Sequence, residues 1–165
     1  MWEGRFKSQA LLDDAAVLSC MAYVDLNPIR AKMAKALEPS QHTSIQKRTE
    51  AIQQHKRQPY KLLPFVGNPK QDMPQGIPFS LQDYCELVDT TGRIIRADKA
   101  CATDSAQHPI LSRLGLSEEQ WLALTTEFEQ HFFYAAGAEQ MMQDFKVHTY
   151  RKRIGGMRQA KRLLS

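Results

Sequence analysis

A chain of 165 residues with 42% apolar and 24% charged side chains carries enough apolar content for a core and is too apolar for wholesale disorder. Its net charge of +4 permits an anionic partner such as nucleic acid without requiring one. Three cysteines (Cys20, Cys85, Cys101) with no CxxC pair argue against a disulfide framework or a zinc site, and no apolar run approaches the roughly 20 residues that span a bilayer, so reduced thiols and a cytoplasmic placement are expected.

Residues 4 to 10 alternate, with Arg5, Lys7 and Gln9 on one side and Phe6, Ser8 and Ala10 on the other, which predicts a strand. Asp13 or Asp14 is placed to cap a helix over residues 14 to 26, rich in Ala15, Ala16, Val17, Leu18, Cys20, Met21 and Val24. Asn27-Pro28 ends that helix, because the residue before proline avoids the helical region, and starts another that runs to about Leu37. Thr43 or Ser44 caps a polar third helix ending near Lys56. Five prolines between residues 58 and 80 mark a linker or a loop laid over a surface, with Leu62, Leu63 and Phe65 as its anchors.

Ser80 and Asp83 resemble a capping box before Tyr84, Leu87 and Val88. Thr91-Gly92 is expected to turn, leaving Arg93, Arg96 and Lys99 in a polar loop. Pro109 opens a short helix closed by Gly115; Ser117 and Gln120 form a second capping box before a helix whose Trp121, Leu124, Phe128 and Phe132 spacing marks a core stripe. A further helix is expected over residues 138 to 147. The tail carries Lys146, Arg151, Lys152, Arg153, Arg158, Lys161 and Arg162, with Tyr150 interleaved, Gly155-Gly156 as a hinge and a short terminal helix. Such a tail is either a solvated terminus or a salt-sensitive contact to a DNA backbone. Apart from its first strand the chain is expected to be mainly α.

Two segments carry a chemical signal: Trp2-Glu3-Gly4-Arg5-Phe6-Lys7-Ser8 and Tyr23-Val24-Asp25-Leu26-Asn27-Pro28-Ile29-Arg30-Ala31. By spacing alone, Tyr23 and Asn27 lie one turn apart and share a helix face. By themselves Tyr23 is a packing residue on the flank of an apolar stripe, Asn27 an ordinary N-cap before proline, and Arg5 and Lys7 the solvated face of an edge strand.

In this order and spacing, however, the two segments resemble the second half of the REP-associated tyrosine transposases, a branch of the single-tyrosine HUH group. A weaker likeness continues through Thr43-Ser44-Ile45, Leu63-Pro64-Phe65-Val66-Gly67 and Leu87-Val88-Asp89-Thr90-Thr91-Gly92-Arg93. The resemblance implies cleavage and rejoining of single-stranded or hairpin DNA through a 5′-phosphotyrosine, with Mg²⁺ or Mn²⁺ held by a His-x-His pair and by a polar residue one turn after the tyrosine. It assigns the nucleophile to Tyr23 and the polar metal ligand to Asn27, and it makes Arg5, Lys7, Arg30 and the seven basic tail residues DNA contacts. A phenol with a pKa of about 10 is a weak nucleophile at neutral pH and needs such a metal to stabilise developing charge.

None of the five histidines, His42, His55, His108, His131 and His148, lies two residues from another. The expectation is therefore a truncated copy that binds no metal and is inactive alone. Residues 1–57 would be the remnant of an α+β, ferredoxin-like catalytic domain, with the first strand unpartnered; 58–79 a linker; and 80–165 a helical region with the basic tail. The alternative is a non-catalytic DNA-binding or regulatory fragment.

Overall fold

The computed structural model describes residues 8–31, 43–54, 56–59, 61–67, 76–97 and 108–164. Among these, eight helices and a two-stranded parallel sheet surround one hydrophobic core, so the mainly helical expectation holds. Of the strand expected at residues 4 to 10, residues 4–7 lie outside the described part; in the rest, β1 is Ala10–Leu11. Its partner is not an upstream strand. β2, Ala135–Ala136, pairs with it in parallel, Ala10 opposite Ala135 and Leu11 opposite Ala136.

Asp13 follows β1 and caps α1, Asp14–Asp25, by accepting from the Ala16 N–H at 2.8 Å. The same carboxylate accepts from the Ala138 N–H just after β2. One side chain thus satisfies an orphan donor of a helix start and fastens the sheet crossing. The face of α1 packs on α6, Glu118–His131. Ala16, Leu18 and Ala22 of α1 are fully buried, as are Trp121, Leu124 and Phe128 of α6 or nearly so. Each such large side chain contributes about 1.5–3 kcal/mol on burial. The Ser117–Gln120 capping box sets the start of α6 through both of its reciprocal hydrogen bonds. The helix departs from helical geometry at Glu127 (φ −127°, ψ 21°), beside Thr125 and Thr126, whose hydroxyls bond back to the preceding turn.

After α1 the chain re-enters a helix at once, α2, Asn27–Arg30, with Pro28 in its first turn. Of the second helix expected to Leu37, residues 32 onward lie outside the described part. The third helix is found as α3, Ser44–Gln53, and α4 runs from Leu81 to Ala97. The turn expected at Thr91-Gly92 does not exist: α4 continues through it. Gly92 has a different reason to be glycine. A Cβ there would stand 3.0 Å from Ile29 Cδ1 and 3.3 Å from Leu26 Cδ2, so the missing side chain lets α2 settle directly on α4. Thr91 stays in the helix by returning its hydroxyl to the Leu87 carbonyl at 2.6 Å, and it accepts from the Trp121 indole N–H at 2.9 Å. Of the expected basic loop, Arg93 pairs with Asp89 along α4 at 2.6 Å, and Lys99 lies outside the described residues.

Part of the proline-rich segment is laid onto the surface. Phe65 bridges to Ile77, and both are buried. The Gln58 amide grips Phe65 at both its N–H and its carbonyl, each at 2.8 Å. Downstream, α5 is Pro109–Leu114, closed by Gly115 at φ +67° as expected, and α7 is Glu139–His148. The basic tail is folded: α8, Met157–Leu163, buries Ala160 and Leu163, and Leu164 after it is buried too. Gly155-Gly156 is no hinge. A Cβ on Gly156 (φ +95°) would stand 2.9 Å from both the His131 carbonyl and the Phe132 ring, so the glycine is a point of tight backbone packing. Between α7 and α8 the chain reverses through a Schellman closure. The Arg151 N–H donates to the Lys146 carbonyl and the Tyr150 N–H to the Val147 carbonyl, with Tyr150 itself at φ +52°.

Among the described residues no helix is long and apolar enough to cross a membrane. Cys20 and Cys85 are free thiols.

Candidate functional site

The helical junction at α1 and α2 brings Tyr23 and Asn27 to one face, and both converge on Arg30. The Arg30 guanidinium lies over the Tyr23 ring, 3.7 Å from its centroid. It donates to the Thr126 carbonyl at 2.9 Å, to Asn27 Oδ1 at 3.2 Å and to the Tyr23 carbonyl at 3.4 Å. The Thr126 carbonyl is placed for this beside the irregular Glu127 of α6. On α6 also, Phe128 packs against Tyr23 with ring centroids 6.1 Å apart. Tyr23 is therefore a half-buried ring between an aromatic neighbour and a cation, while Asn27 is exposed apart from its contact with Arg30.

A divalent cation does not fit these residues. The amide oxygen that would bind it already faces the fixed positive charge of Arg30, and like charges a few ångströms apart repel. Among the described residues no group of three or more His, Cys, Asp or Glu side chains gathers where it could hold a metal.

The most constrained polar group nearby is one that sequence patterns passed over. Asp25, the last residue of α1, is fully buried. It accepts from the Tyr84 hydroxyl at 2.9 Å, from the Ser44 hydroxyl at 2.9 and 3.1 Å and from the Ile45 N–H at 3.2 Å. It thereby caps α3 from a neighbouring helix and joins α1, α3 and α4 at one point. Burial raises its pKa above the ordinary value of 3.8, against the lowering effect of those hydrogen bonds and of Arg48. Burial, with Asp25 beside it, holds the Tyr84 phenol well above its usual range. Arg48 is itself 2% exposed and lies over the Phe65 ring, 4.8 Å from its centroid. It donates to the Leu63 carbonyl at 2.9 Å and to Gln58 Oε1 at 3.3 Å. The lone signal in the sequence was an acid inside an apolar helical run, Val24-Asp25-Leu26.

The remaining sequence-predicted residues fall elsewhere. Arg5 and Lys7 are outside the described part. Lys146, Lys152, Arg153, Arg158 and Lys161 line a single cleft between α7 and α8. Arg151 lies over the Tyr134 ring, 4.6 Å from its centroid, and Arg162 is exposed with its carbonyl accepting from Gln120. Compared with protein-family models, curated proteins and solved structures, the chain matches none.

Proposed function

We propose that the chain is of REP-associated tyrosine transposase descent and acts on DNA by binding it, without cutting it. The sequence motifs around Tyr23 support the descent. The observation that carries the second half is the Arg30 guanidinium, which lies over the Tyr23 ring and donates to the Asn27 amide oxygen, the group that would face a metal. No His-x-His pair stands in the chain to supply the other ligands of a metal. The family activity, metal-dependent cleavage and rejoining of single-stranded DNA through a 5′-phosphotyrosine, belongs on this reading to the lineage, with Mg²⁺ or Mn²⁺ absent from the chain's own chemistry.

The test is a labelled single-stranded hairpin DNA incubated with the chain and Mg²⁺ or Mn²⁺, run on a denaturing gel. No protein–DNA adduct is expected from the wild-type chain or from Arg30→Ala. An adduct that disappears in Tyr23→Phe overturns the non-cutting assignment and makes Tyr23 a working nucleophile.

A further inference from the structure

Five cations meet in one place without matching anions. Lys146, Lys152, Arg153, Arg158 and Lys161 line a cleft of about 410 Å³ between α7 and α8, with Glu139 as the one carboxylate in its wall. Among the described residues none of the five makes an ion pair within 4.0 Å. Such a concentration of like charge works against the fold that assembles it, and an anion in the cleft relieves it.

The connection that leads into this cleft carries a second anomaly. Tyr150 occupies the left-handed position of the Schellman closure at φ +52°, where glycine is the residue without steric cost. Its side chain gains nothing from packing, being 95% exposed, the most exposed of the large apolar side chains. Two residues later, Lys152 lines the cleft. Tyr134, 54% exposed, stands nearby in contact with Arg151. A strained, solvent-facing ring two residues before a cation of the cleft has no explanation in the fold, and an outlier of this kind points to function.

We propose that the α7–α8 cleft is a single-stranded DNA site, in which the five cations hold successive backbone phosphates and Tyr150 stacks on an adjoining base. Single-stranded nucleic acid is the ligand that combines a dense row of negative charge with open π faces; a duplex offers the first and hides the second. The choice of DNA over RNA rests on the DNA-handling reading above. The site itself is independent of Tyr23 and of any metal.

Fluorescence anisotropy of the full chain with oligo(dT) of about 16 nucleotides, in EDTA and across a salt series, tests it. Removing three cleft cations, Lys152→Ala/Arg158→Ala/Lys161→Ala, is expected to weaken binding at least ~10-fold and to flatten the slope of log affinity against log salt by about 2. Removing three exposed cations at and after the third helix, Lys47→Ala/Lys56→Ala/Arg57→Ala, is expected to change affinity by less than ~3-fold. Tyr150→Gly is expected to raise Tm, because glycine fits the left-handed position, while weakening oligo(dT) binding ~5-fold or more. The same substitution leaves binding of an abasic oligodeoxynucleotide unchanged. Equal losses from the two triple variants, or unaltered oligo(dT) binding by Tyr150→Gly, overturn the site. Tighter binding of oligo(U) RNA than of oligo(dT) overturns the assignment to DNA. Because binding is read without metal or covalent chemistry, an adduct dependent on Tyr23 would overturn the non-cutting function and leave this site standing.

Discussion

Arg30 and Tyr23 form one unit: the guanidinium lies 3.7 Å above the ring, held from the far side by the Thr126 carbonyl of α6. A cation over a half-buried ring contributes about 0.5–2 kcal/mol, and its hydrogen bonds to α6 and Asn27 add to that. Arg30→Ala is expected to cost about 1–3 kcal/mol in urea unfolding, with Arg30→Lys recovering little of it because lysine lacks the planar fork. A double-mutant cycle with Tyr23→Leu should return a coupling of about 0.5–2 kcal/mol. Additive losses would mean that the pair is a contact without energetic consequence.

Tyr84→Phe removes one hydroxyl from the buried Asp25 cluster and leaves a carboxylate short of a donor. A loss of about 1–3 kcal/mol is expected by chemical denaturation. A loss no larger than that of an exposed Tyr→Phe change, such as Tyr150→Phe, would remove Asp25 from its joining role.

Two groups should tilt the stability–pH profile in opposite senses. Burial raises the Asp25 pKa above 3.8, so the folded state favours the protonated acid. Its contribution is complete below the unfolded value and is lost as pH rises through the raised folded value. His108 caps α5 by accepting from the Ile110 N–H at 3.3 Å, and burial lowers its pKa below 6.5. Its contribution is complete above the unfolded value and is lost as pH falls through the lowered one. Urea midpoints measured from pH 4 to 8 in Asp25→Asn should lose the decline with rising pH, and those in His108→Asn should lose the decline with falling pH. Identical profiles for both variants and wild type would refute both assignments.

Gly92→Leu is expected to lower stability by about 1–3 kcal/mol, since α2 and α4 would have to separate to admit it. Gly92→Ala sets two effects against each other. It gains up to about 1 kcal/mol of helix propensity and presses on Ile29 and Leu26, whose methyl ends must give by a few tenths of an ångström. Thermal unfolding should therefore place the alanine variant within about 1 kcal/mol of wild type and the leucine variant clearly below it.

Asp13→Ala removes an N-cap and strands the Ala138 N–H together. A cost of about 2–4 kcal/mol is expected, with Asp13→Asn recovering much of it. Amide hydrogen exchange should accelerate at Ala10, Leu12 and Ala138 ahead of the rest of the chain. Uniform acceleration would show that the crossing has no local stability of its own.

The parts of this fold legible in the sequence were the local ones. The Ser117–Gln120 box, the Pro109 start, the Gly115 stop and the Trp121, Leu124, Phe128 stripe each follow from residues within one or two turns of one another. The parts that escaped depend on distant partners. Thr91-Gly92 has the composition of a turn, and only the approach of Leu26 and Ile29 explains a glycine held inside a helix. Asp25 looks like a helix-end acid until Ser44 and Tyr84 arrive from other helices. Residues 4 to 10 alternate like an edge strand, but the parallel partner at Ala135–Ala136 that pairs Ala10–Leu11 lies too far along the chain to be read locally. The convergence of Tyr23 and Asn27 was readable from their spacing; what they converge on was not, because Arg30 is fixed there by a carbonyl 96 residues away.

The contact between Asp13 and Ala138 spans 125 positions. During synthesis α1, with apolar side chains around most of its circumference, emerges well before its covering helix α6 and locking strand β2. Contacts so far apart close slowly, and until they close the first helix is exposed to other nascent chains. Arrest between α1 and Ala136 would therefore release a sticky fragment, and the yield of native protein should depend on translation speed and chaperone supply across that stretch.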